Sequence, residues 1–239
     1  MPDSLRFNRI LLKLSGEALK GQRDFGYDAA AIRRVVAKIK SVLERGAEVA
    51  IVVGAGNIWR GKMGGADGMD HVNADKMGML ATVMNAMALR EFFSEAGIPA
   101  LIQCAIPMGS FVTGYDREQA MKALESGQVV IFAGGTGNPF FTTDTAATLR
   151  ALETECDAVL KATKVDGVYS ADPMKDPGAV RYDELSFDEA LEKHLSVMDA
   201  AAFSLCRDNQ LPVIVFDFSS ADSLDRIVTG DPSAGTVVH

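Results

Sequence analysis

Short apolar runs recur along the chain, each followed by a turn rich in glycine or hydroxyls and then by a stretch with helical spacing. Arg9–Leu14, Val49–Val53, Ala100–Gln103, Val129–Phe132, Ala158–Ala162 and Val213–Phe216 are predicted as strands, apolar nearly throughout. Between them Ile32, Val35, Val36, Ile39, Val42 and Leu43 recur at helical spacing after the N-cap Asp28, and Gly46 stops that helix. A long helix is predicted from Asn73 or Ala74 to Gly97, with Met77, Leu80, Ala81, Met84, Ala88 and Phe92 as its core side. Asp116–Glu125, Ala146–Glu153, Asp199–Asn209 and Leu224–Val228 read as further helices, and Ser186 with Glu189 forms a capping box for one ending near Lys193. Thr236–Val238 reads as a final edge strand. Strands alternating with helices, and apolar along their length, imply an α/β protein whose mostly parallel central sheet is covered on both faces.

The stretch Ala133–Thr145 (AGGTGNPFFTTDT) interrupts this pattern. Three glycines directly after a strand allow positive φ and close approach of the backbone to a ligand. Hydroxyls and unpaired N–H groups at the following helix start suit an anion. An ordinary turn with Thr142 or Thr143 as N-cap explains the same residues equally well.

Composition narrows the choice. Hydrophobic content of 48% with 23% charged residues describes a folded globular chain. A net charge of −8, without a dense Lys/Arg block, argues against nucleic acid or an anionic membrane as a partner. Cys104, Cys156 and Cys206 are too few and too scattered for a disulfide framework or a zinc site, so a cytoplasmic location is expected. No signal peptide or apolar run of membrane-spanning length is seen.

Two phosphate motifs nearly fit. Gly56–Met63 has P-loop spacing, but Met63 stands where a Ser or Thr would hold magnesium, and Gly64-Gly65 follows where a helix must begin. The dinucleotide pattern starting at Gly54 fails because Trp59 replaces its third glycine. What remains is a set of strand ends: Lys13–Gly16, Gly54–Asn57, Thr136–Asp144 and Lys161–Thr163. They lie on the edge where open α/β sheets bind ligands, and they gather Lys13, Arg60 and Lys161 in an acidic chain. Phosphoryl transfer needs this kind of positioning and charge neutralisation. Asp144 is placed to orient the lysines or to help place a metal. His71, His194 and His239 lie apart from these segments and read as surface or structural residues.

Leu11–Leu19 (LLKLSGEAL), Asp75–Thr82 (DKMGMLAT), Thr136–Asp144 (TGNPFFTTD) and Lys161–Tyr169 (KATKVDGVY) resemble the bacterial uridylate (UMP) kinases of the amino acid kinase family, and the likeness runs from about Asn8 to Thr236. The resemblance implies a single domain over residues 1–239 with a three-layer αβα fold. Residues 8–157 would form the UMP side and 158–239 the ATP side. It implies ATP + UMP → ADP + UDP in pyrimidine (CTP and UTP) biosynthesis, with Mg2+ carried by the nucleotide and no metal held by protein ligands alone. Lys13, Arg60, Asp144 and Lys161 would be catalytic. ATP would be held by Lys13, Leu14, Ser15, Gly16, Gly56, Arg60, Thr163, Tyr169 and Asp172. UMP would meet Ala55, Asp75, Thr136, Gly137, Asn138, Pro139, Phe140, Phe141, Thr142 and Thr143. Ala55 departs from the family's run of three glycines, which puts one UMP contact in question if positive φ is needed there. Gly21, Gln22, Arg23, Asp24, Phe25 and Gly26 match an allosteric segment, and GTP activation, UTP inhibition and a homohexamer are implied. The alternatives are another member of the family, acting on a carboxylate or carbamate, and a non-catalytic nucleotide-binding or storage protein on the same fold.

Overall fold

The computed structural model describes residues 4–59, 68–195 and 197–239. The strands and helices, in chain order, are β1 (Arg9–Leu14), α1 (Glu17–Lys20), α2 (Ala29–Glu44), β2 (Glu48–Val53), α3 (His71–Glu95), β3 (Ala100–Cys104), β4 (Thr113–Gly114), α4 (Arg117–Glu125), β5 (Val129–Ala133) and α5 (Thr143–Glu153). There follow β6 (Ala158–Thr163), β7 (Val168–Tyr169), β8 (Arg181–Tyr182), β9 (Glu184–Leu185), α6 (Phe187–Glu192), α7 (Ala200–Asp208), β10 (Val213–Asp217), α8 (Ser223–Val228) and β11 (Thr236–Val238).

The main sheet runs β4-β3-β5-β2-β1-β6-β10-β11-β9, and β7 and β8 pair separately as an antiparallel hairpin. From β4 to β10 every neighbour is parallel, while β11 is antiparallel to β10. Thr236–Val238 is therefore an inner strand, because β9 pairs beyond it and takes the edge. Strand β1 is where the order reverses: β2 lies on one flank and β6 on the other. In parallel sheets that reversal opens a crevice at the carboxyl ends of the strands.

Strand alternation divides the core in two and orients the charged residues. Ile10, Leu12 and Leu14 face the layer of α2, α3 and α8, with Ile32, Ile39, Leu89, Phe93 and Leu224. Leu11 faces the other layer, with Ala120, Ala146, Ala147, Phe187 and Phe203 of α4 to α7. Lys13 has the parity of Leu11, and Lys161 that of Val159, so both lysines point to the α5 side.

Helix α3 begins at His71 rather than at Asn73 or Ala74, because Asp70 is its cap and accepts the Asn73 N–H at 3.1 Å. Its buried side carries Met79, Val83, Ala86, Leu89 and Phe93, whereas Met77, Leu80, Met84 and Met87 stay exposed. Apolar residues occur all round this helix, so spacing alone does not select the face that packs. Asp28, Thr142 and Ser186 cap their helices as read from the sequence, and Asp116 and Asp199, read as the first residues of theirs, are the caps of α4 and α7.

The turns after β1 and β2 pack backbone against backbone. Gly16 has an ordinary φ of −55°, but a Cβ there would collide with the Gly54 carbonyl and come within 2.5 Å of Asn57 Oδ1 and 2.8 Å of Gly56 N. Buried Asn57 and Asn85 lock this region: Asn57 Nδ2 donates to Asn85 Oδ1 at 3.0 Å, and Asn85 Nδ2 donates to the Gly54 carbonyl at 2.7 Å. Gly16→Ala is expected to cost about 1–3 kcal/mol through overpacking. Thermal unfolding should show this as a Tm roughly 2–12 °C lower.

Candidate active site

Helix α5 starts at the crevice because Thr142, in extended conformation, accepts the Asp144 N–H at 3.0 Å. Before it, Gly134, Gly135 and Gly137 all have positive φ, at 78°, 60° and 81°, as the glycine-rich stretch requires. Asp144 thus lies in the first turn of α5, where a carboxylate complements the helix dipole. Its Oδ1 is 2.6 Å from Lys13 Nζ and its Oδ2 is 2.7 Å from Lys161 Nζ. The two lysines are directly paired across β1 and β6. Lys161 Nζ also donates to the Val197 carbonyl at 2.6 Å.

Burial by itself pushes the Asp144 carboxyl up, but the positive charges of Lys13 and Lys161 outweigh it and hold the group below its ordinary 3.8. Oδ1 is buried and is held by the ammonium charge of Lys13. Among the described residues no three His, Cys, Asp or Glu side chains converge as a metal cage. One carboxylate beside two ammonium groups fits a divalent ion that arrives on phosphate oxygens, the usual manner for Mg2+ in kinases.

Two cavities flank this centre. On the β2–β5 side, about 150 Å³ is lined by Ala55, Asp75, Thr136, Phe141, Thr142 and Thr143, together with Trp59, Met79 and Thr82. Ala55 does not have positive φ, so alanine costs nothing in backbone strain at that position. Thr82 Oγ1 accepts the Gly134 N–H at 2.9 Å, and Trp59 Nε1 donates to the Ala74 carbonyl at 2.8 Å, fixing the wall. Gly137, Asn138, Pro139 and Phe140 lie outside the lining. Asn138 instead closes the turn on Thr136, its N–H donating to Thr136 Oγ1 at 3.2 Å. On the β6 side, about 540 Å³ is lined by Thr163, Tyr169, Asp172, Lys193, His194 and Val197, among others. The Tyr169 hydroxyl donates to Asp166 Oδ1 at 2.6 Å, and this bond raises its pKa.

Ser15 is exposed, and its Oγ accepts the Glu17 N–H at 3.3 Å, whereas Leu14 is buried and has only its backbone to offer. Gly16 and Gly56 meet where the first two strand turns touch. Gly21–Gly26 forms a turn outside both cavities, tied to Asn57 by the Gly26 N–H at 2.8 Å. Arg60 lies outside the described residues.

The histidine reading needs correction. His71 stacks on Phe140, with centroids 5.0 Å apart, and its Nδ1 is 3.2 Å from Asp75 Oδ2. Asp75 Oδ2 accepts the Phe140 N–H at 2.7 Å and so holds that residue at an unusual φ of 70°. His194 lines the cavity on the β6 side; only His239, 2.9 Å from Glu184, remains remote. Asp199 was legible only as the first residue of a helix. In the folded chain its Oδ2 accepts the Thr142 hydroxyl at 2.5 Å and its carboxylate also accepts Thr145 Oγ1 at 3.0 Å. It thereby ties the glycine-rich stretch to the segment carrying Val197, a link between residues 57 positions apart.

Because the Asp144 pKa is lower in the folded chain, its ion pairs stabilise the fold above the unfolded carboxylate pKa and lose that effect as pH falls through the depressed value. Acid unfolding should show a stability loss below about pH 4 in the native chain that is reduced in Asp144→Asn. At neutral pH the same substitution leaves both lysines uncompensated and should cost about 3–5 kcal/mol, measurable by urea unfolding.

Residues 8–217 match the model of the amino acid kinase family. Among solved structures, a UMP kinase from Bacillus anthracis superposes with a TM-score of 0.94 at 36% identity, covering 98% of this chain and 96% of its own. A UMP kinase from Ureaplasma parvum gives 0.90 at 35% identity, covering 98% and 99%. A uridylate kinase from Archaeoglobus fulgidus gives 0.73 at 29% identity, covering 96% and 99%. With its nine-stranded, mostly parallel sheet and a family match over most of its length, the chain belongs to the amino acid kinase family.

Proposed function

We propose that this protein is a UMP kinase, transferring the γ-phosphoryl group of ATP to UMP in the supply of UTP and CTP. The observation that carries the reading is Asp144 clamped between Lys13 and Lys161, with one cavity on each side of the clamp. The strong likeness to two UMP kinases supports uridylate as the acceptor.

In the proposed reaction an oxygen of the UMP phosphate attacks the γ-phosphorus, the bond from that phosphorus to the β–γ bridging oxygen breaks, and ADP leaves with the electron pair. No general base is needed because the attacking oxygen is already anionic. Lys13 and Lys161 stand where negative charge is shared among three phosphoryl oxygens, and such preorganised cations are the main source of rate enhancement in this chemistry. Asp144 keeps both ammonium groups at the strand ends and so places them before substrate arrives. Mg2+ carried by ATP would supply further neutralisation of phosphate charge beside the two lysines. The cavity of Thr163, Tyr169 and Asp172 takes the donor nucleoside, and the one bounded by Ala55, Asp75 and Thr136–Thr143 takes UMP. Residues 8–157 and 158–239 thus supply the acceptor and donor sides of one domain. Asp75 lines the acceptor cavity and is placed there for the ribose.

The exposed row Met77, Leu80, Met84 and Met87 on α3 supports self-association, with a homohexamer as the expected assembly. GTP activation, UTP inhibition and a part for Gly21–Gly26 in the response follow from the family likeness. A cytoplasmic location agrees with three unpaired buried cysteines. Among the described residues no helix is long and apolar enough to cross a membrane.

A panel of nucleoside monophosphates with Mg-ATP tests the assignment: UMP should be turned over well ahead of CMP, and equal rates, or none with UMP, would reject it. Turnover of acetylglutamate or aspartate would move the chain to another branch of the family. Lys13→Ala should lower kcat by roughly 10²-fold or more with little change in the UMP KM, the scale for loss of one preorganised stabilising group. Asp75→Asn should mainly raise the UMP KM, and an unchanged UMP dependence would remove Asp75 from the acceptor site.

A further inference from the structure

Among the described residues, four other than glycine have positive φ: Phe140 at 70°, Glu155 at 55°, His194 at 52° and Gln210 at 54°. Glu155, His194 and Gln210 directly follow Thr154, Lys193 and Asn209, the C-caps of α5, α6 and α7, where a left-handed residue is a common way to stop a helix. Phe140 is the exception. It ends no helix and stands two residues before Thr142, the N-cap of α5. For a bulky side chain this conformation is strained and persists only where neighbouring groups impose it.

Burial does not impose it, since Phe140 is 71% exposed. Two groups on the first turns of α3 do. Asp75 Oδ2 accepts the Phe140 N–H at 2.7 Å, and the imidazole of His71 lies against the Phe140 ring, 9° from parallel with centroids 5.0 Å apart. His71 and Asp75 are four residues apart and so share one face of the helix. His71 Nδ1 is 3.2 Å from the same Asp75 oxygen that receives the Phe140 N–H. This platform is itself fixed, because Asp70 caps α3 on the Asn73 N–H and Trp59 Nε1 donates to the Ala74 carbonyl.

Phe140 sits between residues that wall the β2–β5 cavity: Gly135 and Thr136 precede it, and Phe141, Thr142 and Thr143 follow. Asp75 belongs to the same wall. The stretch is tied near both ends, at Gly134 by Thr82 and at Thr142 by Asp199. Between those ties the turn at Phe140 sets how Thr136 and Phe141 meet the cavity, and His71 braces that turn from outside. Neither burial nor capping accounts for a histidine at this position: its side chain is largely exposed, and the cap of α3 is Asp70.

We propose that His71 is a positioning residue for the phosphoryl acceptor, acting through Phe140. The stacked imidazole keeps the turn in its left-handed conformation and so keeps Phe141, Thr142 and Thr143 at the cavity wall before the acceptor arrives. The consequence for UMP rests on the acceptor reading of that cavity, whereas the bracing of the turn does not. Without the ring the turn relaxes toward ordinary φ, and binding must then restore its order, which raises the acceptor requirement. The lysine clamp is built from β1, β6 and α5 and keeps its geometry, so turnover at saturating UMP is retained.

Hydrogen exchange of the full chain without ligand, followed by mass spectrometry, together with steady-state kinetics, tests this on His71→Ala and His71→Phe. His71 is exposed, so both variants should keep the native Tm. In His71→Ala, peptides containing Phe140 should exchange roughly threefold faster or more, while those of β5 and α7 keep the native rate. The UMP KM should rise roughly three- to tenfold, the scale for one aromatic contact. The kcat and the ATP KM should stay within about twofold of native, as expected when only acceptor binding is weakened. His71→Phe retains a flat ring and should restore both the exchange rate and the UMP KM. Native exchange in His71→Ala overturns the proposal, and so does a His71→Phe variant as impaired as His71→Ala. Faster exchange with an unchanged UMP KM overturns the role toward the acceptor. A raised UMP KM with native exchange would make His71 a direct contact of the acceptor, and a lowered UMP KM would make the stack an obstruction; each overturns positioning through Phe140. A native chain without UMP turnover would reject the kinase reading while leaving the exchange comparison to decide whether His71 braces the turn.

Discussion

The ion pairs of Asp144 with Lys13 and Lys161 are the constraint on which the centre of this molecule depends. Ammonium groups on adjacent strands, about 5 Å apart, repel by a few kcal/mol at the effective dielectric of a protein. A carboxylate brought down from α5 removes that repulsion and fixes both lysines in one geometry. The pairing sets where α5 must begin, and hence where the glycine-rich stretch must turn. It also leaves both cations at the strand ends in fixed positions.

Around that centre the fold uses polar groups as spacers between segments distant in sequence. Asn57 and Asn85 fasten the β2 turn to α3, and Asp199 fastens the start of α5 to the start of α7. Val197 links the same α7 approach to Lys161. Glycine-rich stretch, lysine clamp and β6-side cavity are therefore one hydrogen-bonded unit. Asp75 adds a second restraint by holding Phe140 at positive φ, a strained state sustained only while its N–H has that partner.

Much of this was legible in the residue pattern. The runs at Arg9–Leu14, Val129–Phe132 and Ala158–Ala162 announced buried parallel strands, and caps such as Asp28 and Ser186 announced where helices start. Lys13, Asp144 and Lys161 were identifiable as a charged group at strand ends. The exposed face of α3 was not: Met77, Leu80 and Met84 are as apolar as the residues that pack, and a helix apolar all round carries no directional signal. His71 gave no sign of its contact with Phe140, because a stacking pair 69 positions apart leaves no local pattern.

The sequence by itself determined the α/β class, most strands and helices, the family and the chemical character of the strand ends, since local periodicity and residue type carry those properties. Only the tertiary structure decided that Lys13 and Lys161 share one carboxylate, that β11 lies inside the sheet, and that His71 stacks on Phe140. Those outcomes depend on strand register and on which helix covers which face. Both are settled by packing among segments far apart in the chain, where side-chain alternation says which face a residue takes but not what it meets there.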